Sequence, residues 1–209
     1  MDEDLCVQRA LRGDHAAFGQ LVERYKIPVY NLAYRMLGNS QDAEDAAQET
    51  FLRAYAQLHS YDTSRKFASW LLSIAAHHCI DQLRRRRFAW LPIDAIDGFD
   101  WLWADTKQPD EEVIDGEDRD EVRRMLRMLP AKYRLVLVLR YWHDLSYQEI
   151  AEVTKMTEAA VKTRLHRARE MLAGQIRDGS VSPASAARVE SGVVAGDTPF
   201  GQQTLIAGS

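Results

Sequence analysis

The sequence is poor in cysteine and contains no long apolar run, and each shortage excludes a class of protein. Cys6 and Cys79 are the only cysteines and lie far apart, so we predict two reduced thiols rather than a disulfide. No apolar run approaches the ~20 residues that cross a membrane, so we expect no membrane insertion. The N-terminal residues MDEDLCVQRAL are acidic and lack the pattern of a secretory signal. These features predict a cytoplasmic protein.

The sequence patterns that mark enzymes are missing as well. There is no β pattern, no glycine-rich phosphate loop, no nucleophile elbow and no pair of catalytic carboxylates with a histidine partner. His77, His78 and Cys79 are consecutive, but neighbouring helical residues point about 100° apart and no second pair would complete a metal site. The sequence therefore offers no candidate catalytic residue, and we expect no cofactor and no metal.

The composition and the spacing of apolar residues together indicate a helical protein. Hydrophobic residues make up 46% and charged residues 28% of 209 residues, as in soluble globular proteins. We predict an all-α fold, with two small helical domains joined by a flexible acidic linker, and the second domain a helix-turn-helix domain. The predicted bounds are 1–90 for the first domain, 91–118 for the linker, 119–177 for the second domain and 178–209 for a disordered tail.

Residues 145–176, LSYQEIAEVTKMTEAAVKTRLHRAREMLAGQI, are the most informative part of the chain. Ser146 and Glu149 have the spacing of a capping box, which predicts the start of a helix. A turn at Lys155–Met156 follows, and Thr157 is the expected cap of a second helix. Four apolar residues of this second helix form one stripe at helical spacing: Val161, Leu165, Ala168 and Leu172. The segment is typical of a helix-turn-helix.

The outer side of the second helix is basic, which favours DNA as its ligand. Thr163, His166 and Arg167 fall opposite the apolar stripe, and Lys162, Arg164 and Arg169 lie on its flanks. Between residues 155 and 177 six basic residues face two acidic ones, a net of +4, whereas the whole chain carries −4. The alternative is an ordinary amphipathic hairpin with a solvated basic face. A basic element in an acidic protein favours nucleic-acid binding.

The first domain is predicted to consist of five helices. Their approximate ranges are 2–12, 15–27, 28–38, 40–58 and 68–87, with Pro28 opening the third helix and Gly38 ending it. The fourth helix is expected to pack through Ala47, Phe51, Ala54, Tyr55 and Leu58. A polar loop, 61–67, precedes the last helix.

Two charged clusters of the first domain each have a structural and a functional interpretation. Asp42, Glu44, Asp45 and Glu49 occupy the start of the fourth helix, where the helix dipole accounts for one or two acids and four suggest a docking patch. The arginines at 84–87 complement the dipole at the end of the last helix. With Phe88, Trp90 and the loop before the helix, they also suit a nucleic-acid surface.

The predicted linker is strongly acidic and carries aromatic residues. Residues 91–121 contain twelve acids and two bases, a net of −10, together with Phe99, Trp101 and Trp103. Such a segment is either a solvated, self-repelling spacer or a segment whose aromatic residues dock on this protein or on a partner.

Several of these motifs occur together in one known family. The segments are DAEDAAQETFLRAY from residue 42, FASWLLSIAAHHCIDQLRRRR from residue 67, LPAKYRLVLVLRYWHDLSYQEIA from residue 129 and VKTRLHRAR from residue 161. In this order, and with an acidic linker between the second and third, they resemble a bacterial sigma factor of the extracytoplasmic-function class. The resemblance covers about residues 1–177. It implies a subunit that gives core RNA polymerase its promoter specificity and that is not an enzyme by itself.

The resemblance also implies roles for individual residues. The −35 element of promoter DNA would be contacted by Thr157, Lys162, Thr163, Arg164, His166 and Arg167. The −10 element would be contacted by Tyr61, Arg65, Lys66, Phe67, Trp70, His77, His78, Asp81, Arg84 and Arg85. The clamp helices of the largest subunit of core RNA polymerase would be bound by Asp42, Glu44, Asp45, Gln48, Glu49 and Phe51. The linker would follow the RNA exit path, and an anti-sigma factor is the expected second protein partner.

Two other functions compete with this interpretation. A stand-alone helix-turn-helix regulator would bind duplex DNA tightly without polymerase. A sigma mimic that titrates a regulator would have lost the polar residues that face the bases, and this sequence keeps them. His78 stands where the family often has Asn, and the base-facing position of His166 varies within the family. The promoter sequence therefore does not transfer from the resemblance.

Overall fold

The fold is taken from a computed structural model of the chain, which describes residues 3–88 and 117–191. These described residues form nine α-helices and one short 3-10 helix, without a strand. The helices are α1 (Glu3–Leu11), α2 (His15–Leu37), α3 (Ser40–Gln57), the 3-10 helix (Leu58–Ser60), α4 (Phe67–Phe88), α5 (Glu117–Arg127), α6 (Ala131–Tyr141), α7 (Tyr147–Thr154), α8 (Glu158–Arg177) and α9 (Pro183–Ser191). The predictions that the linker's aromatic residues dock and that the linker follows the RNA exit path concern residues outside these ranges.

The first domain contains α1 to α4, and polar caps set its helix boundaries. Asp14 accepts a hydrogen bond from the amide of Ala17 at the start of α2, and Asn39 accepts one from Asp42 at the start of α3. Gly38 ends α2 with a φ of 88°, in the left-handed region that favours glycine. α2 packs against α1, α3 and α4, so it is the central helix of this domain.

The prediction that Pro28 opens a separate helix is wrong, because α2 continues through it from His15 to Leu37. Proline removes one backbone donor and strains the preceding turn, which costs about 3 kcal/mol in an isolated helix. Here Tyr25 and Val29 on either side of Pro28 are fully buried. Tertiary packing of both halves holds the helix together, and a local rule could not show this.

α3 packs only partly through the predicted face: Ala54 and the following Leu58 are buried as predicted, and the rest of the buried face differs. Its buried residues are Ala43, Ala46, Thr50 and Ala54, whereas Phe51 is half-buried and Tyr55 is 43% exposed. The small side chains let α3 approach α2 closely, and the Thr50 hydroxyl donates to the Ala46 carbonyl at 2.7 Å. A polar threonine can be buried because its own helix satisfies it. The prediction had placed the larger Phe51 and Tyr55 on the packed face in addition to Ala54 and Leu58.

The second domain contains α5 to α9, and its central hairpin matches the sequence pattern. Ser146 and Glu149 form the capping box of α7, and Thr157 caps α8 by accepting from the amide of Ala160. The αL conformation of Lys155 makes the turn between the two helices. The buried residues of α8 are Val161, Leu165, Ala168 and Leu172. This helix-turn-helix is the element that the sequence predicted.

The prediction of a disordered tail at 178–209 is wrong for residues 183–191, because these residues form α9. Val181, Ala186 and Val189 are buried, and α9 packs on α5, α6 and α8. The carboxylate of Glu121 in α5 accepts hydrogen bonds from the Ser182 amide at 2.6 Å and from the hydroxyls of Ser182 and Ser185. The segment lacks apolar periodicity, and its order comes from these contacts with α5. Residues 192–209 lie outside the described part.

The two domains pack against one another in the described conformation. α4 lies against α7, and α2 lies against α5 and α6. Arg134 of α6 is 2% exposed, and its guanidinium donates to the carbonyl of Met36 at the end of α2. The linker therefore joins two domains that also share a direct interface.

Candidate nucleic-acid interface

α8 presents the residues that were predicted to read the −35 element. Its apolar stripe is buried, so the opposite side is turned to solvent. The exposed members of the predicted set are Thr157, Lys162, Thr163, His166 and Arg167. Their neighbour Glu170 lies 3.5 Å from Nδ1 of His166. An exposed helix face with threonine, histidine and cationic side chains fits the major groove of DNA, where these groups contact bases and phosphates.

Arg164, the remaining member of that set, is placed differently. It is half-buried on the flank of α8, and burial lowers the pKa of its guanidinium. A guanidinium still keeps its charge at neutral pH. Arg164 lines a cavity between the two domains together with His77 of α4. Its position beside the exposed face suits a phosphate contact better than a base contact.

Arg169, predicted on the flank of the helix but not among the −35 contacts, also lies on this surface. Its Nε donates to the hydroxyl of Tyr141 at 2.9 Å, and this bond raises the pKa of the guanidinium. Lys162 lies 5.8 Å from the centre of the Tyr147 ring. Lys162 and Arg169 are seven residues apart, so they share one side of the helix. That spacing was the available sequence signal, whereas the two tyrosines come from other helices.

The loop predicted to capture a base of the −10 element has an aromatic interior. The ring centres of Tyr61, Phe67 and Trp70 lie 5.1 to 5.5 Å apart. Tyr61 is 9% and Phe67 is 3% exposed, and only Trp70 is half-buried. Burial raises the pKa of Tyr61, whose hydroxyl donates to the carbonyl of Arg65. Tyr61 and Phe67 therefore support the loop, and Trp70 offers more surface to a base.

The cations of this loop already have partners. Arg65 lies 3.6 Å from Asp62, and both side chains are exposed. Lys66 donates to Glu149 of α7 at 2.7 Å, although 75% of the Lys66 side chain stays exposed. The Glu149 carboxylate raises the pKa of Lys66. Burial alone would raise the pKa of Glu149, but the bond with Lys66 contributes to a net lowering. The loop at residues 61–67 thus contacts the helix-turn-helix directly.

The outer side of α4 carries the other residues predicted for the −10 element. Nδ1 of His77 lies 2.6 Å from the carbonyl of Ser73, so that nitrogen is the donor and Nε2 is left for another partner. His78 is half-buried, and burial together with Arg53 lowers its pKa. Asp81 pairs with Arg84 at 3.1 Å. Arg84 and Arg85 are exposed and form the cationic end of this surface.

The acidic residues of α3 do not form one uniform patch. Asp42 is bound by Arg86 and Asn39, and these bonds hold its pKa below the usual range although burial opposes them. Asp42 therefore serves the fold of the first domain. Glu49 pairs with Arg53 at 2.6 Å. The exposed members are Glu44, Asp45 and Gln48.

An apolar side chain beside these acids was not among the predicted contacts. Leu52 is 67% exposed, more than any other large hydrophobic residue of the described part, and the predicted contact Phe51 beside it is half-buried. An exposed leucine next to carboxylates is typical of a protein-binding surface. The periodicity of α3 placed Phe51 inward and gave no weight to Leu52.

The described residues hold neither a metal cluster nor a membrane-spanning helix. No group of three or more His, Cys, Asp and Glu side chains within 3–88 and 117–191 could hold a metal ion. No helix in those ranges is long and apolar enough to cross a membrane. Cys6 and Cys79 are free and buried, and burial raises the pKa of Cys79 to about 12.

Family models match both domains. Sigma-70 region 2 matches residues 21–89, and Sigma-70 region 4 matches residues 119–172. The match to region 2 covers α2 to α4, and the match to region 4 covers most of α5 to α8. The two matches therefore fall on the two helical domains in the order seen in the structure.

Relatives match over most of both chains. The chain is 39% identical over 178 residues to the ECF RNA polymerase sigma factor SigW of Bacillus subtilis, covering 82% of this chain and 95% of that protein. It is 31% identical over 183 residues to the ECF RNA polymerase sigma-E factor of Escherichia coli K12, covering 85% and 95%.

Solved structures match as well. CnrH, solved in complex with the cytosolic domain of CnrY, has a TM-score of 0.62 at 27% identity, covering 85% of this chain and 99% of that chain. The sigma factor RpoE of Bartonella quintana, solved with the anti-sigma factor NepR, has a TM-score of 0.60 at 22% identity and supports the fold alone. It covers 77% of this chain and 96% of that chain. This chain belongs to the ECF sigma factors, which direct core RNA polymerase to promoters by reading −35 and −10 elements.

Proposed function

We propose that the promoter-reading residues of this sigma factor are divided between α8 and the α4 surface. The observation that carries the proposal is the one-sided burial of α8. Four apolar residues are buried, and the opposite face presents Lys162, Thr163, His166 and Arg167. This face enters the major groove at the −35 element, while Arg164 and Arg169 hold the flanking phosphates.

The −10 element is bound by the loop before α4 and by the outer side of that helix. Trp70 stacks on an unpaired base, because it is the least buried ring of the loop's aromatic cluster. His77 is exposed, its Nδ1 is engaged by the Ser73 carbonyl, and its Nε2 contacts the DNA. Arg84 and Arg85 bind its phosphates. The protein performs no bond chemistry itself and acts in the cytoplasm with the polymerase.

Core polymerase binds the outer side of α3. Glu44, Asp45 and Gln48 supply the polar contacts, and Leu52 supplies the apolar centre. Asp42 contributes indirectly through the pair with Arg86 that ties α3 to α4. In this arrangement the polymerase and the −10 element occupy separate sides of the first domain.

A sequestering anti-sigma factor is the second protein partner in this proposal. The complex of CnrH with the cytosolic domain of CnrY, at 27% identity, supports a protein partner of this kind. Co-purification of the tagged chain from its host, followed by mass spectrometry, would identify that partner. The purified partner should then abolish transcription in the assay described next, and a bound protein without that effect would contradict the assignment.

Reconstituted transcription tests the promoter assignment. Purified chain and core polymerase should give a specific transcript from DNA upstream of the chain's own gene. Arg167→Ala should reduce the transcript about tenfold, since a base contact is worth ~1–3 kcal/mol. Arg177→Ala, at the exposed end of the same helix, is the matched control and should have no effect.

Two outcomes would contradict the assignment. Equal loss of binding by Arg167→Ala on promoter DNA and on DNA with a scrambled −35 element would refute base reading. Tight, specific duplex binding by the free chain, without any transcript and without core binding, would favour the stand-alone regulator.

A further inference from the structure

A cavity of about 160 Å³ is lined by residues of α4, α6, α7 and α8. Part of its wall is apolar and consists of Ala76 and Ile80 of α4, Leu135 of α6 and Val153 of α7. Leu135 and Val153 are buried, and Ile80 is half-buried. An apolar protein cavity of ~150 Å³ is large enough to take up a benzene molecule. This cavity therefore has room for one aromatic ring.

Basic side chains line the same cavity. Lys132 of α6, Arg164 of α8 and His77 of α4 join the apolar residues in its wall. No residue of the described part that lines the cavity is acidic. Because α6 and α8 pack together, Lys132 and Arg164 come from neighbouring helices. Two cations beside one apolar space attract a ligand with a negative charge at one end and an apolar body at the other.

Arg164 carries its charge at an energetic cost. The side chain is half-buried, and burial lowers the pKa of its guanidinium, an effect that Tyr133 opposes. Among the described residues, no carboxylate pairs with it. A partly desolvated cation is stabilised by an anion that binds beside it, and the planar fork of a guanidinium matches the two oxygens of a carboxylate.

We propose that this cavity is a binding site for a small aromatic carboxylate of the benzoate type. The ring of the ligand lies against Ile80, Leu135 and Val153, and its carboxylate accepts hydrogen bonds from Lys132 and Arg164. Inorganic phosphate would leave the apolar part of the cavity unfilled. A neutral aromatic molecule would leave Arg164 without an anion. Only a ligand with both features matches both parts of the wall.

The ligand site shares two residues with the proposed DNA contacts. His77 is assigned to the −10 element, and Arg164 is assigned to a phosphate beside the −35 element. A carboxylate bound to Arg164 competes with that phosphate, so the ligand should inhibit transcription. This consequence rests on the proposed function, whereas the ligand site itself rests only on the cavity.

Fluorine NMR with para-fluorobenzoate as the probe tests the site in the full-length chain. The signal of the probe should shift and broaden on titration with the chain, and the effect should saturate. The neutral probe para-fluorobenzamide has the same ring and should bind about tenfold more weakly, because hydrogen bonds to a charged group are the stronger ones. Equal affinity for the two probes would overturn the role of the cations. Displacement of para-fluorobenzoate by an equal concentration of inorganic phosphate would overturn the role of the ring.

Variants of the wall locate the bound probe. Lys132→Gln should weaken binding of para-fluorobenzoate about tenfold and leave para-fluorobenzamide unchanged, whereas Lys132→Arg keeps a cation and should retain binding. Ile80→Thr should weaken both probes by a similar factor, because it places a hydroxyl in the apolar part of the wall. Lys26→Gln, exposed on α2 and outside the cavity, is the matched control.

Thermal unfolding of each variant identifies any loss of binding that is caused by loss of the fold. Undiminished binding of para-fluorobenzoate by a folded Lys132→Gln variant would overturn the assignment of Lys132. An equal loss in Lys26→Gln and Lys132→Gln would place the probe outside this cavity.

Reconstituted transcription separates the failure of this inference from the failure of the proposed function. Saturating para-fluorobenzoate should reduce the specific transcript, and para-fluorobenzamide at the same concentration should not. Binding of para-fluorobenzoate without a change in the transcript would overturn the competition with DNA. Binding of the probe by a chain that gives no transcript and does not bind core polymerase would refute the proposed function and leave the ligand site standing. Absence of saturable binding would overturn the ligand site, whether or not a transcript forms.

Discussion

Replacement of His143 by leucine should remove a dependence of stability on pH. The His143 side chain is 3% exposed, and neither ring nitrogen has a hydrogen-bond partner. Burial, with a smaller contribution from the positive charge of Arg35, lowers its pKa from 6.5 to about 3. The folded protein therefore holds this imidazole neutral at every pH at which the protein is normally handled.

The sign and size of the effect follow from proton uptake. Because the folded pKa is lowered, only the unfolded state binds a proton between pH 6.5 and about 3, so stability falls as the pH falls through that window. From pH 7.5 to 5.5 the proton uptake of the unfolded state changes the equilibrium about tenfold, or about 1.4 kcal/mol. Most carboxylates remain ionised above pH 5, and the lowered pKa of His78 adds a loss of the same sign that wild type and a His143 variant share, so the difference between the two proteins isolates His143.

Urea unfolding followed by circular dichroism measures this difference at several pH values. Between pH 7.5 and 5.5 wild type should lose about 1.4 kcal/mol more unfolding free energy than His143→Leu. At pH 7.5 the variant should be as stable as wild type or more so, since it removes buried polar atoms without partners. His59→Gln, at an exposed site, is the control. An unchanged pH dependence in His143→Leu would refute the argument.

Two further predictions concern α9 and the polymerase-binding side of α3. Glu121→Gln weakens the hydrogen bonds from Ser182 and Ser185, so hydrogen exchange of the α9 amides should become roughly fivefold faster while the α8 amides stay protected. Exchange of the α9 amides at the same rate in the variant and in wild type would contradict the role of Glu121. Leu52→Arg should weaken binding to core polymerase about tenfold or more without loss of stability, because it removes an exposed leucine worth ~1.5–3 kcal/mol when buried. Ile27→Arg, 54% exposed on α2, is the control for Leu52→Arg, and equal weakening by both variants would remove α3 from the interface.

The parts of the fold that could be predicted from the sequence depend on local interactions. The capping box of Ser146 and Glu149 and the cap at Thr157 are formed between residues three apart, so the pattern contains both partners. The buried stripe of α8 follows from helical spacing alone. The all-α fold and the helix-turn-helix were therefore predictable.

The features that were not predicted depend on contacts between distant residues. α2 continues through Pro28 because its two halves share one core, and α3 buries Thr50 because small residues let it approach α2. α9 is ordered through Glu121, which lies 61 residues before Ser182. No local pattern contains both members of such a pair. Local rules identify the apolar residues of a single helix, whereas contacts with neighbouring helices determine which of its faces is buried.

The difference between local and distant contacts also explains why the sequence predicted a DNA-binding face on α8 but did not predict how the two domains pack together. Exposure and charge of Lys162 and Arg167 follow from the period of α8, so these residues could be chosen from the sequence. The partner of Lys66 is Glu149, 83 residues away, and both have complete local explanations as a loop cation and a helix cap. A residue can satisfy a local rule and still take part in a distant contact. Such a contact adds no motif to the chain, and it becomes visible only when the two domains are seen together.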